Sequence, residues 1–243
     1  MMRINMQEMR EMYSDVAVED QFNTNELLNL LEDANISPLE CKTIRLKKHE
    51  MLITEGDDSE HIYVIEEGNL MMTDCQSKMI DFFFEQDIIG LTKFLFNDQS
   101  KLSFEVISEE LVVKKFKKED VIEKIMNKQE GYFFHYQHMH KEIERMQEKE
   151  KILRLPTEER IGRALLLLGN NYHNWKQKQS FLVFPQAINR KMLANYTSLT
   201  QNTITKVLQK FECSGLIRSN RRMIHIYPEK LEAGIGIKTL ENS

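Results

Sequence analysis

The sequence predicts an α+β chain in three successive parts: a small β-barrel, one long helix and a C-terminal winged helix-turn-helix. Three observations carry this. Between residues 41 and 118, short β-rich runs alternate with turn signals at spacings of roughly 8–12 residues, the texture of a barrel or sandwich. From about residue 130 to 153 an apolar stripe recurs in steps of four and three over about three heptads. Near residues 189–213 two helical patterns flank a turn, followed by a basic turn and a strand, the order of a winged DNA-binding module.

Residues 1–40 read as an N-terminal helical segment. Met2, Met6, Met9 and Tyr13 recur at helical spacing, and Asn25 to Asn35 form a short helix with Leu27, Leu28, Leu30 and Leu31 as its apolar residues. The barrel, a sensor domain, is assigned to 41–118. Strands are expected at Thr43–Lys47, Met51–Thr54, Ile62–Ile65, Leu70–Thr73, Met79–Phe84, Phe104–Ile107 and Val112–Phe116. Gly56 and Gly68 stand in turns that call for positive φ.

Residues 119–155 form the helical connection, with a short helix from Glu119 to Met126 and then the long one. The long helix's stripe is Tyr132, Tyr136, Met139, Ile143, Met146, Glu150 and Leu153. Lys141, Glu142, Glu144, Arg145, Gln147, Glu148 and Lys149 flank it, so the apolar face is narrow. A narrow face favours a coiled-coil partner over a broad globular contact. A homodimer through Tyr132, Tyr136, Met139, Ile143, Met146 and Leu153 is therefore predicted, against the alternative that the stripe lies on the chain's own core. Glu150 departs from the seam. His135, His138 and His140 cluster on this helix, and His135 and His138 share a face, but no third ligand accompanies them. They are expected to be solvated or at an interface, and no metal is predicted.

Pro156 ends the long helix and opens a DNA-binding domain over 156–243. Thr157 is expected to cap a helix through Gly169 bearing Ile161, Leu165 and Leu168. A polar loop, Asn170–Ser180, carries the only tryptophan, Trp175, and Phe181–Phe184 reads as a strand. In the next stretch Asn189 can cap a first helix, Ala194 is small where helices cross, Ser198 marks the turn and Leu199 can plug the space between helices. Thr200 can cap a second helix with Ile204, Leu208 and Phe211 buried, and Gly215 stops it.

That second helix would present Gln201, Asn202, Thr205 and Lys206 to base edges, with Gln209 exposed beside them. Amide side chains pair best with adenine, so an A·T-rich half-site is expected. Arg190, Thr200, Lys210, Arg218, Arg221 and Arg222 are the expected phosphate contacts. Residues 186–230 carry a net charge of +6 and the remainder −11, which places the nucleic-acid affinity in one part of an acidic chain.

Other classes are argued against. Cys41, Cys75 and Cys213 lie far apart without a C-x-x-C pair, so neither a disulfide framework nor a cysteine metal site is indicated. No apolar run approaches a bilayer span, and the N-terminus lacks a signal-peptide core, so a cytoplasmic protein with no membrane partner is expected. Phosphate-binding loops, nucleophile elbows and metalloprotease motifs are missing, and the barrel region has only His49 and His61, too few for a metal-dependent barrel enzyme. No catalysis is predicted.

The succession of barrel, long helix, helix-turn-helix and wing resembles the Crp/Fnr family of bacterial transcription regulators over roughly residues 40–232. In the DNA-binding part the resemblance lies in Leu193-Ala194-Asn195, Thr203 to Leu208, Phe211-Glu212, Gly215-Leu216-Ile217 and Ile224-His225-Ile226. In the barrel it lies in Glu55-Gly56-Asp57, Tyr63 to Gly68 and Asp87 to Gly90. Phe104 to Ser108 is similar, more loosely, to the PrfA-like virulence-regulator branch of Gram-positive bacteria. The resemblance implies a cyclic-nucleotide-binding-like barrel, a DNA-binding homodimer and a contact with RNA polymerase through the loop around Trp175. It also shows departures. Leu91 stands where cyclic-AMP-binding members carry glutamate, and Lys101-Leu102 where they carry Arg-Ser. Cyclic AMP is therefore not the expected effector, and the effector is another molecule or none. Gln201-Asn202 replaces a common Arg-Glu, and Ser198 replaces the turn glycine. An alternative role is a regulator whose barrel binds a peptide or protein, with DNA binding secondary.

Overall fold

The computed structural model describes residues 15–33, 37–92, 99–173, 181–219 and 223–236. The stripe of Met2, Met6, Met9 and Tyr13 lies outside the described residues, as do Trp175 with the loop 174–180 and the wing tip 220–222. Helices α1 (Asp15–Gln21) and α2 (Thr24–Glu32) come first. Asn23 caps α2, its Oδ1 accepting from Glu26 N at 3.0 Å, and Leu27, Leu30 and Leu31 make the buried face.

Eight strands build the barrel: β1 (Cys41–Lys47), β2 (Met51–Ile53), β3 (His61–Glu67), β4 (Leu70–Thr73), β5 (Met79–Phe83), β6 (Ile88–Ile89), β7 (Ser103–Val106) and β8 (Glu110–Lys117). They form two antiparallel sheets in the orders β1-β8-β3-β6 and β2-β7-β4-β5. The two-residue β6 is too short to carry a period and was not expected. At the β3–β4 turn Gly68 has φ +97°, and a Cβ there would stand 2.4 Å from Glu110 O, so no other residue fits. Between the sheets lie Ile65, Leu70, Met72, Phe83, Phe104, Val106, Leu111 and Val113, an apolar filling.

α3 (Lys118–Asn127) leads into α4 (Tyr132–Leu153), 22 residues and roughly 33 Å long. α4 has two stripes. One, with Phe134, Gln137, His138, Arg145 and Ile152, turns toward the barrel. The other is the heptad seam, where Tyr132, Tyr136, Ile143 and Met146 are 57%, 50%, 48% and 64% exposed and Met139 and Leu153 are half-buried. Among the described residues, the chain's own core thus covers this seam only in part. Two expectations are corrected here. Arg145 and Lys149 are not solvated flanks but pack on the barrel, and Glu142 is largely buried beside Arg145. His138 is not solvated either: it is buried, with Nε2 3.2 Å from Thr92 Oγ1, and burial lowers its pKa to about 4. Among the described residues no three His, Cys, Asp or Glu side chains gather as a metal would require.

The C-terminal part holds α5 (Thr157–His173), β9 (Leu182–Phe184), α6 (Arg190–Tyr196), α7 (Gln201–Cys213), β10 (Ile217–Ser219), β11 (Ile224–Ile226) and α8 (Pro228–Gly234), with a sheet ordered β10-β11-β9. Pro156, not Thr157, occupies the cap of α5, because its carbonyl takes the first helical bond from Arg160 N at 2.8 Å. Gly169 does not stop α5, which runs on to His173. The glycine instead lets Leu182 and Ile226 approach, at 3.3 and 3.4 Å from where a Cβ would be. α8 was not expected; Pro228 begins it and Leu231 anchors it in the core. The barrel and the C-terminal part share one apolar cluster, in which Phe82, Phe84 and Ile107 join Tyr196, Leu168 and Phe211. Among the described residues no helix is long and apolar enough to cross a membrane.

Candidate nucleic-acid interface

The helix-turn-helix is assembled from local capping. Asn189 Oδ1 accepts from Met192 N at 3.0 Å and starts α6, whose Leu193, Ala194 and Tyr196 face inward. Thr197 is wholly buried, and its hydroxyl donates to Leu193 O at 2.7 Å, which removes the cost of an unpaired polar group. Ser198 then adopts φ +54°, the left-handed conformation that lets the chain turn. Leu199 N donates to Ala194 O at 2.9 Å, and Leu199 packs against the shared core. Thr200 Oγ1 accepts from Thr203 N at 3.2 Å and begins α7.

In α7, Ile204, Val207, Leu208 and Phe211 are buried. At 100° per residue the opposite crest runs through Asn202, Lys206 and Gln209, all exposed, with Gln201 exposed beside them. The helix ends at Gly215 with φ +70°, and Leu216 N closes back on Phe211 O at 2.9 Å. The wing strand β10 pairs with β11 through Arg218↔His225, and Glu212 Oε1 accepts from Ser219 N at 3.0 Å, tying the wing to α7.

The expected contact residues divide unevenly. Gln201, Asn202 and Lys206 stand together on the open face of α7. Thr205 is half-buried and its hydroxyl donates to Gln201 O at 2.9 Å, so it offers a base only its acceptor lone pairs. Arg190 is exposed on the first turn of α6, and Arg218 on β10, where it is part of a strand and not of the turn. Thr200 is exposed, with its hydroxyl engaged in the cap. Lys210 is exposed, and its ammonium is held by both oxygens of Glu158, at 2.6 and 2.7 Å, so a phosphate there would compete with that carboxylate. Arg221 and Arg222 lie outside the described residues.

One further residue escaped the sequence reading. Arg160 on α5 donates from Nε and Nη2 to Leu155 O, at 3.1 and 3.0 Å, and from Nη1 to Thr197 O at 3.3 Å. A single guanidinium thus joins the end of the long helix to the turn of the reading head. Its flanking sequence, Glu158-Glu159-Arg160-Ile161, looks like any charged first helical turn.

Comparison with known proteins agrees with this construction. The sequence matches the model of the cyclic nucleotide-binding domain over residues 43–128 and that of the Crp-like helix-turn-helix domain over residues 159–233. A comparison with curated proteins gives no match. Among solved structures, FixK2 from Bradyrhizobium japonicum superposes with a TM-score of 0.67 at 17% identity, covering 80% of this chain and 97% of its own. A cyclic nucleotide-binding domain containing protein from Listeria monocytogenes gives 0.67 at 19% identity, with 84% and 97% covered. TTHB099, a transcriptional regulator of the CRP family from Thermus thermophilus, gives 0.62 at 19%, with 82% and 100% covered. At such identities the likeness is one of fold.

Proposed function

Because the chain belongs to the Crp/Fnr family, whose members are DNA-binding transcription regulators and not enzymes, we propose that it acts as a homodimer which reads DNA through the crest of α7. The observation that carries the reading is the exposed polar face of Gln201, Asn202 and Lys206, set on a capped helix whose other face is buried. Arg190 and Arg218, with Arg221 and Arg222 by sequence, are the phosphate contacts. The exposed seam of α4 supports dimerisation, since four large apolar side chains in one stripe are a poor surface to leave in water. A two-fold dimer would meet half-sites one helical turn apart, in a near-palindrome. Working on genomic DNA, the protein acts in the cytoplasm, with RNA polymerase as its partner.

Cyclic AMP is not the effector in this proposal. Leu91 is fully buried in the place of the ribose-binding glutamate, and Leu102 packs against the apolar filling of the barrel. Without that glutamate and without the serine hydroxyl, two of the polar contacts to a cyclic nucleotide are missing, and Lys101 alone is left to meet its phosphate. The effector is another molecule or none, and the chain is assigned to the PrfA-like branch on Phe104 to Ser108 alone.

The test is a binding-site selection with the wild type, Asn202→Ala and Arg190→Ala. Asn202→Ala should relax one base position at a cost of roughly 1–3 kcal/mol. Arg190→Ala should weaken all sites alike and flatten the salt dependence. If Arg190→Ala changes the preferred sequence and Asn202→Ala does not, the reading residues are wrongly assigned.

A further inference from the structure

Among the described residues β5 is an edge strand, with β4 as its one neighbour in the sheet. In such a strand alternate carbonyls face away from the sheet and need other partners. The long helix supplies them: Lys149 Nζ donates to Ile80 O, and Arg145 Nη2 donates to Phe82 O. The spacing fits. Four residues of helix rise roughly 6 Å and two residues of strand roughly 6.8 Å, so cations at i and i+4 meet carbonyls at i and i+2.

Arg145 is further held by Asp81 at 3.5 Å, Asp87 at 3.3 Å and Glu142 at 3.4 Å, and its guanidinium lies 4.4 Å above the Phe83 ring. Lys149 reaches past the strand. Its ammonium stands 4.6 Å from the centre of the Tyr196 ring, and that ring is 5.6 Å from Phe82. Tyr196 is the last residue of α6, five positions before α7 begins. One strand edge therefore touches the barrel, the long helix and the reading head, and two cations hold it there.

We propose that Arg145 and Lys149 are positioning residues that register the helix-turn-helix against the barrel: Arg145 seats α4 on the edge of β5, and Lys149 carries that placement to α6 through the face of Tyr196. A displacement of β5 is then passed to the recognition helix through the Tyr196 ring, which meets both Lys149 and Phe82. The inference rests on the DNA-binding reading and is independent of dimerisation and of any effector.

The experiment uses the full chain and compares Lys149→Met, Lys149→Arg and Tyr196→Leu, singly and with Lys149→Met and Tyr196→Leu combined. Hydrogen exchange is followed in β5, α6 and the barrel strands β3 and β8, and affinity is measured on the DNA site selected by the wild type. Loss of a charged hydrogen bond and a cation–ring contact should weaken protection in β5 and α6 together by about tenfold, with β3 and β8 unchanged. DNA affinity should change by about tenfold, Lys149→Arg should restore both readouts, and the double variant should be less than additive. Equal loss of protection in β3 and β8 would mean general destabilisation and would overturn the proposal. So would a Lys149→Met protein whose α6 exchange and DNA affinity stay within twofold of wild type. If the wild type selects no DNA site, the DNA-binding reading fails, while the coupled exchange of β5 and α6 still decides the clamp.

Discussion

Replacing Ile143 and Met146 by aspartate is expected to convert dimers into monomers. In the single chain Tyr132, Tyr136, Ile143 and Met146 are about half exposed or more, from 48% to 64%. Fully burying a large apolar side chain is worth roughly 1.5–3 kcal/mol, so covering the exposed half of one contributes about 1 kcal/mol. Four such residues, doubled by a two-fold axis, amount to about 8 kcal/mol gross. Association costs roughly 4–15 kcal/mol in lost freedom, so the seam has little reserve. The two substitutions remove about half of the gross gain, about 4 kcal/mol, and gather four carboxylates in the seam; that is a weakening of at least about a thousandfold. Because these side chains project from the single chain, the variant should keep its helix content by circular dichroism. Sedimentation equilibrium across the micromolar range is the assay. A wild type that stays monomeric throughout, or a double-aspartate protein that dimerises as tightly as the wild type, would refute the argument.

Three other outcomes are expected. Ser198→Gly relieves a left-handed conformation costing roughly 1–2 kcal/mol while adding unfolded-chain freedom worth about 0.5–1 kcal/mol, so the melting temperature should rise by about 1–3 °C; a fall would mean the hydroxyl matters more than the backbone. His138 has its folded pKa depressed to about 4 from 6.5, first by burial and then by its neighbours His135, Arg145 and Lys141. A base depressed in this way contributes stability that is full above pH 6.5 and lost as pH falls toward 4. His138→Gln should therefore lose about 2 kcal/mol less than the wild type between about pH 7 and pH 5, and parallel denaturant curves at both pH values would contradict it. Calorimetry with cyclic AMP should give no heat of binding at micromolar ligand; saturable micromolar binding would sink the assignment based on Leu91 and Leu102.

What could be read from the sequence is what is made by residues near one another in the chain. The caps of α6 and α7 are bonds from residue i to i+3, so Asn189 and Thr200 announce them. Gly215 needs only its own φ. The faces of α7 follow from helical period, and the seam of α4 from its heptads. The succession of strands, long helix, reading head and wing was legible for the same reason, and with it the family. The partners of charged side chains were not. Lys210 finds Glu158, Arg160 finds Thr197, and Arg145 and Lys149 find the edge of β5 from 63 and 69 residues away. Period and charge tell which side of a helix is polar, but not whether water or the open edge of a distant strand lies against it. Gly169 illustrates the same limit, since its missing side chain makes room for Leu182 and Ile226, which only the folded packing brings near. The sequence by itself determined the parts and which face of α7 is polar and exposed. The tertiary structure decided how those parts are joined, because the joint combines an apolar cluster with backbone carbonyls and carboxylates that local pattern cannot assign to any particular cation.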